Sequence, residues 1–285
     1  MQKRDPSIDI YDLGTLLPTW DFLTFLVNAE LTRRHQGGSS PLRIRLKTTH
    51  MDRPDNLMSM KVRRQMLQWV VRPLMPLMNC IEDPSVTQGQ GLMYNYSRLV
   101  AAHHQGVEIP SINIRSNPIP GRLTITLREA AHGTWRNSRV MAWLEFAQRR
   151  RAEGYDVIFL RDTCCADQPF YDFPIAPSAS RFVRDRADLY ATAECNLLLA
   201  NGPASLLLFS NIPFIYFIPL SNRTEHWPTF PQWWQKSAGI DPGRREKFPW
   251  LNDRQHITWD TDSLHNIESS WACWHAHQTF DRMIA

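Results

Sequence analysis

The residues of this chain whose types and spacing point most directly to chemistry are Arg128, Arg161 and the turn Asn201-Gly202-Pro203-Ala204-Ser205. A guanidinium presents a planar fork of donors that matches a phosphate. A glycine-proline turn entering a helix presents free backbone N–H groups and the positive end of the helix dipole with little side-chain bulk. Both devices hold fixed positive charge against a phosphorylated ligand. Asp162 adjoins Arg161 and falls into the same set.

Regular elements must bring these residues together. Thr124-Ile125-Thr126-Leu127 is a β-branched run ending at Arg128, and Tyr155 to Leu160 is a second run ending at Arg161-Asp162. Between them Val140, Trp143, Leu144 and Ala147 recur at helical spacing, with Asn137 or Ser138 as the cap and Gly154 where the helix stops. Arg186 to Cys195 reads as a further helix, Asn196 to Ala200 as a strand, the Asn201 to Ser205 turn as the entry to another helix, and Ile212 to Phe217 as the next strand. In an open parallel sheet the ligand lies beyond the carboxyl ends of the strands, so Arg128, Arg161, Asp162 and the Asn201 to Ser205 turn belong to one sheet edge.

The first part of the chain repeats the rhythm less completely. Phe22, Phe25, Leu26 and Ala29 form a helical stripe ending near Gly37-Gly38, and Leu42 to Leu46 alternates as a strand. Lys61 to Met78 has helical spacing that Pro73 and Pro76 should end or kink. Ile109 to Arg122, with Pro110, Pro118, Pro120 and Gly121, reads as a hinge. The expected fold class is therefore α/β with two Rossmann-like lobes, residues 1–115 and 123–285, the first of them abbreviated.

The run Ile125-Thr126-Leu127-Arg128, then Arg136-Asn137-Ser138, Trp143 and Phe146, then Asn201-Gly202-Pro203, resembles the donor-binding half of GT-B-type glycosyltransferases, nearest to bacterial proteins associated with surface polysaccharide synthesis. The opening Ile10-Tyr11-Asp12-Leu13-Gly14, followed by Thr19-Trp20-Asp21-Phe22 and Phe25-Leu26, is similar to the start of such proteins. The resemblance implies an acceptor-side lobe over 1–115 and a donor-binding lobe over 123–285. It implies sugar transfer from a nucleotide-activated donor to a polysaccharide, lipid-linked or other glycan acceptor. Arg128, Arg136, Asn137, Arg161, Asp162, Asn201, Gly202, Pro203 and Ser205 would bind the donor, with Arg128 and the Gly202 turn stabilising the diphosphate leaving group. Asp12, after the first strand, is the candidate general base, with Asp21 and Glu30 behind it. No metal and no cofactor other than the nucleotide-sugar substrate is expected. Asp260-Thr261-Asp262 has the letters of a metal-binding acidic pair, but its place before a helical stretch points to an N-cap. Two alternatives remain open: a sugar-nucleotide epimerase-like enzyme, and a catalytically silent nucleotide-sugar-binding or assembly protein.

Composition sets outer bounds. A chain of 285 residues, 43% hydrophobic, buries a substantial core, and 32 basic against 28 acidic residues is near balance, with no nucleic-acid motif alongside. Seven of the eleven tryptophans, Trp227, Trp233, Trp234, Trp250, Trp259, Trp271 and Trp274, crowd the C-terminal stretch. Most are expected to pack it across the seam between lobes, with Trp227 and Trp234 the sugar-contact candidates on a lid-like loop. Cys80, Cys164, Cys165, Cys195 and Cys273 make neither a CxxC pair nor a disulfide framework, and Cys164-Cys165 reads as two free thiols on a loop. The first residues lack the apolar core of a signal peptide and no run reaches membrane-span length, so a cytoplasmic location is expected, with peripheral attachment to the inner membrane left open.

Overall fold

The structure, a computed structural model, describes residues 8–39, 41–49, 51, 58–86, 95–131, 133–220 and 230–284. The chain divides into two units, Met1–Asn113 and Ile114–Ala285.

Unit 1 comprises β1 (Ile8–Asp12), α1 (Asp21–His35), β2 (Leu42–Lys47), α2 (Met60–Met66), α3 (Arg72–Leu77), β3 (Cys80–Glu82) and α4 (Tyr96–His104). Its strands pair in parallel in the order β1-β2-β3. In β2, Leu42, Ile44 and Leu46 are buried while Arg43, Arg45 and Lys47 are half-buried, as a period of two requires. Helix α1 departs from the expected single stripe, since every residue from Phe22 to Thr32 is buried. It is a central helix, and Tyr11 of β1 meets the rings of Phe22 and Phe25 edge-on at 4.7 and 5.0 Å. The two prolines also act differently from expectation. Pro73 has no N–H to return to residue 69, and the backbone widens into a π turn over Leu67–Val71 before α3 resumes with Pro73 in its first turn. Helix α4 starts where the Asn95 side chain accepts the Arg98 N–H at 3.2 Å.

Unit 2 comprises β4 (Ile119–Thr126), α5 (Val140–Ala152), β5 (Asp156–Leu160), α6 (Pro177–Arg181), α7 (Val183–Thr192), β6 (Ala193–Leu199), α8 (Ala204–Leu208), β7 (Phe214–Phe217), α9 (Pro231–Ala238), β8 (Gln255–Thr258) and α10 (Leu264–Ile284). All five strands are parallel, in the order β5-β4-β6-β7-β8. The direction of strand addition reverses between β4 and β6, so the crevice above their carboxyl ends is the topological switch point. Register aligns those ends: Thr126 pairs with Leu160 and Leu198, Leu199 with Phe217, and Phe217 with Thr258. Below that edge Leu123, Ile125, Leu197, Leu199, Ile215 and Phe217 meet Trp143 and Phe146 of α5 and Trp271 and Trp274 of α10. The C-terminal tryptophans on α10 thus close the core of this one unit.

Three boundaries differ from expectation for identifiable reasons. β4 begins at Ile119, inside the stretch read as a hinge, because Gly121 at φ 78° lets its N–H reach the buried Glu194 carboxylate at 2.5 Å. For the same reason Ala193 to Cys195, read as helix, are strand residues opposite Ile119 and Leu123. Helix α5 is capped by neither Asn137 nor Ser138. Arg139 holds the N-cap position, and Asp262, distant in sequence, accepts its N–H and the Trp143 indole N–H, each at 2.8 Å.

Candidate anion-binding site

The loop from Arg128 to Arg139 rises from the carboxyl end of β4 and is closed by its own polar groups. Arg128 donates its N–H to Ser138 Oγ at 2.8 Å and accepts the Ser138 N–H at 2.9 Å. Asn137 accepts the Ala130 N–H at 3.1 Å and returns its amide to the Ala130 carbonyl at 3.0 Å. Gly133 turns the loop with φ 58°, in the left-handed region where a side chain is strained, and opens a 3-10 turn over Thr134–Arg136.

This loop sets two guanidinium groups beside each other. Arg128 Nη1 donates to the Gly133 carbonyl at 2.9 Å and to Asn137 Oδ1. A Cβ placed on Gly133 would lie 3.5 Å from Arg128 Nη2 and equally far from Nε and Nη2 of Arg136. Arg128 is only 5% exposed, because it folds back to hold its own loop. Burial first, and then the Arg136 charge, press the Arg128 guanidinium down to about 10 against the opposing charge of Asp162, and it remains a cation at neutral pH. Burial lowers Arg136 as well, with Tyr216 of β7 opposing. Among the described residues Arg136 makes no salt bridge, and its buried Nε has no hydrogen-bond partner. At the head of the neighbouring strand Asn201 Oδ1 is likewise buried without a partner. Two desolvated like charges cost free energy until an anion answers them, so this arrangement suits a phosphoryl or carboxylate ligand.

Arg161 has a different fate. Glu129, a residue the sequence reading passed over, takes its guanidinium in a two-pronged pair, Nε to Oε2 at 2.9 Å and Nη2 to Oε1, and Nη1 donates to the Gln168 carbonyl at 3.1 Å. Hydrogen bonding to Glu129, working against burial, raises the Arg161 guanidinium above its ordinary value. Asp162 accepts the Glu129 N–H at 2.7 Å. Both expected ligand residues are engaged in holding the ends of β4 and β5 together.

The Asn201 to Ser205 turn also differs from expectation. The N–H groups of Ala204, Ser205 and Leu206 point back to the carbonyls of Asn201, Gly202 and Pro203 at 3.3, 3.2 and 3.1 Å, and Ser205 Oγ donates to the Gly202 carbonyl at 3.0 Å. Helix α8 has five residues, too few to sum an appreciable dipole. Gly202 is exposed, Asn201 and Pro203 are half-buried and Ser205 is buried. The polar side-chain atom of the turn that is buried without a partner is Asn201 Oδ1.

The carboxylates separate by environment. Asp12 accepts the Gly14 N–H at 2.9 Å and pairs with Lys47 Nζ at 2.6 Å, the bonds of a turn former. Burial works against the Glu30 charge, but bonds from Arg33 and Arg34 at 2.6 and 2.8 Å hold its carboxyl below the usual range. Asp21, at the start of α1, is the exception. Burial pushes its carboxyl up, and a 3.1 Å bond from the Thr19 hydroxyl offsets only part of that. Its charge acts on the Tyr96 hydroxyl, which lies 3.3 Å from Thr24 Oγ1. Asp262 caps α5 instead of the helix that follows it, where Ser263 takes the Asn266 N–H, and Asp260 pairs with Arg245 at 2.9 Å. Among the described residues no group of three His, Cys, Asp or Glu is placed to hold a metal ion, and no helix is long and apolar enough to cross a membrane. Trp234, expected on a lid, is 4% exposed and packs edge-on to Trp259 at 5.2 Å; Trp227 lies outside the described residues.

No family model matches the chain, and no curated protein matches it. A search of solved structures aligns it with the bacterial iron-containing dodecameric glycosyltransferase TibC from enterotoxigenic E. coli H10407, over 80% of this chain, with TM-score 0.45 and 14% identity. The chain covers 63% of that structure.

Proposed function

We propose that unit 2 binds a nucleotide sugar by its diphosphate and that the protein transfers the sugar to a glycan or lipid-linked acceptor. The observation that carries this reading is the Arg136 guanidinium, desolvated, without an ion pair among the described residues, and set against Arg128 beside the switch point of a parallel sheet. A diphosphate brings the two negative charges this pair calls for, and the Asn201 amide suits a neighbouring hydroxyl. In the transfer the acceptor oxygen attacks the anomeric carbon, the bond from that carbon to the phosphate oxygen breaks, and the electron pair leaves on the diphosphate. Arg128 and Arg136 stabilise that developing charge without a metal ion. The proton from the acceptor hydroxyl passes to a general base as the acceptor oxygen bonds to the sugar.

Calorimetry and thermal shift with nucleoside diphosphates and nucleotide sugars, in EDTA, test the binding step. Stabilisation by the diphosphates with EDTA present is expected, and its absence across the panel overturns the reading. Sugar transfer to an acceptor separates an enzyme from a silent binder, and an altered free sugar released without acceptor indicates an epimerase.

A further inference from the structure

At the carboxyl end of β5 a 3-10 turn over Thr163–Cys165 carries two adjacent cysteines. Successive side chains on an extended strand point to opposite faces, whereas this turn brings Cys164 Sγ and Cys165 Sγ to 3.5 Å from each other. Cys164 is exposed and Cys165 partly so, while Cys80 and Cys195 are buried in the core and Cys273 is exposed on α10. The pair alone therefore combines access with a second thiol within reach among the described residues. Cys164 also donates weakly to the Glu129 carbonyl at 3.8 Å. Burial, followed by the hydrogen bond with Cys164, pushes the Cys165 thiol up to about 11, so it keeps its proton when Cys164 reacts.

We infer that Cys164 and Cys165 form a dithiol oxidation site that takes up a hydroperoxide and closes reversibly to a disulfide between adjacent residues. The Cys164 thiolate attacks a peroxide oxygen, so that an S–O bond forms, the O–O bond breaks, and the departing hydroxide is protonated to water. The Cys165 sulfur then attacks Cys164, forming the S–S bond and breaking S–O, and its thiol proton leaves with the hydroxide as a second water. Together the two thiols give up two electrons and one hydrogen peroxide is reduced to two waters. Closure removes the S–H that Cys164 offers to Glu129, the residue that holds Arg161. The inference stands on the thiol geometry and is independent of the proposed sugar transfer.

The full-length folded protein treated with hydrogen peroxide, denatured without reductant, alkylated and cut with trypsin provides the test. The peptide spanning 162–181 holds both thiols. It should be lighter by two hydrogen atoms and lose both alkylation sites, with Cys273 still alkylated, and dithiothreitol should restore both sites. In Cys165→Ser, Cys164 should instead stop as a sulfenic acid that dimedone traps. Sulfinic acid on Cys164 with Cys165 still alkylated, a Cys164 cross-link between two chains, or oxidation of Cys273 ahead of the pair would overturn the inference. Equal closure rates in the folded protein and in the free peptide would overturn it as well, since the turn would then contribute nothing.

Discussion

Arg136 and Arg161 both serve the carboxyl edge of one sheet, and sequence alone gives them the same role. Arg161 meets a carboxylate: Glu129 takes its fork, both side chains are mostly buried at 12% and 14% exposure, and the pair joins the ends of β4 and β5. Arg136 meets another cation, with the left-handed Gly133 between them. The fold answers one charge with a carboxylate and gives the other only the face of the Trp135 ring, 5.5 Å away, with no carboxylate among the described residues. A strand-end arginine is thus a ligand candidate only when its neighbours fail to neutralise it, and those neighbours come from the three-dimensional arrangement.

The largest expected effect is on the arginine that should not bind. Arg161→Ala leaves Glu129 charged and half-enclosed without its partner, and urea denaturation should register a loss of about 3 kcal/mol. Diphosphate affinity of the folded protein should stay as in wild type. A binding defect with normal stability would reverse the roles of the two arginines.

Next in size is Arg136→Ala. Losing a charge-assisted contact to phosphate costs roughly 1.5–3 kcal/mol, about ten- to a hundredfold in affinity. Stability should hold or rise, because a desolvated like-charge neighbour is removed from Arg128. Arg136→Lys should recover part of the affinity, since a point charge lacks the planar fork. Arg128→Ala separates the two roles poorly: its guanidinium also holds Gly133 and Asn137, so stability and affinity should fall together. Unchanged calorimetric affinity in Arg136→Ala would remove the anion site from this loop.

The difference between the two arginines also marks where sequence reasoning stops. Strand and helix periodicity placed β4, α5, β5, β6 and β7 and hence the sheet edge, because burial on a repeating backbone leaves a local signature. What lies on that edge depends on long-range partners. The cap of α5 is invisible locally because Asp262 supplies it from the far side of β8. Glu129 carries no motif and becomes meaningful only when β5 pairs beside β4 and brings Arg161 to it. The Gly-Pro turn had the letters of an anion cradle, yet its N–H groups close on their own carbonyls, a choice that composition does not encode. In unit 1, Asp12 ends β1 and Asp21 starts α1, and what distinguishes them, a Lys47 ion pair at one and burial at the other, comes from the folded arrangement.

A smaller effect follows for the residue between the two guanidiniums. Gly133→Ala places a Cβ at φ 58°, and the left-handed conformation should cost about 1 kcal/mol. The added methyl sits at ordinary contact distance from both arginines, so it narrows the gap without clashing. Diphosphate binding should weaken by more than the stability loss alone explains. A variant that loses stability but binds normally would place the ligand outside this gap.

The smallest expected effect is on stability, at the buried carboxyl of Asp21 in unit 1. Its folded carboxyl binds a proton more tightly than the ordinary value of 3.8, chiefly through burial. The native state therefore holds more protons than the unfolded chain between 3.8 and the raised value, and stability falls as pH rises through that window. Below 3.8 the group is protonated in both states and costs nothing; at neutral pH the full cost of a desolvated charge is present. Asp21→Asn keeps an acceptor for the Thr19 hydroxyl and removes the charge. Its Tm should match wild type in acid and exceed it modestly at neutral pH. A lower Tm at neutral pH would mean that the carboxylate is stabilised by its surroundings, and burial would then carry no cost at this position.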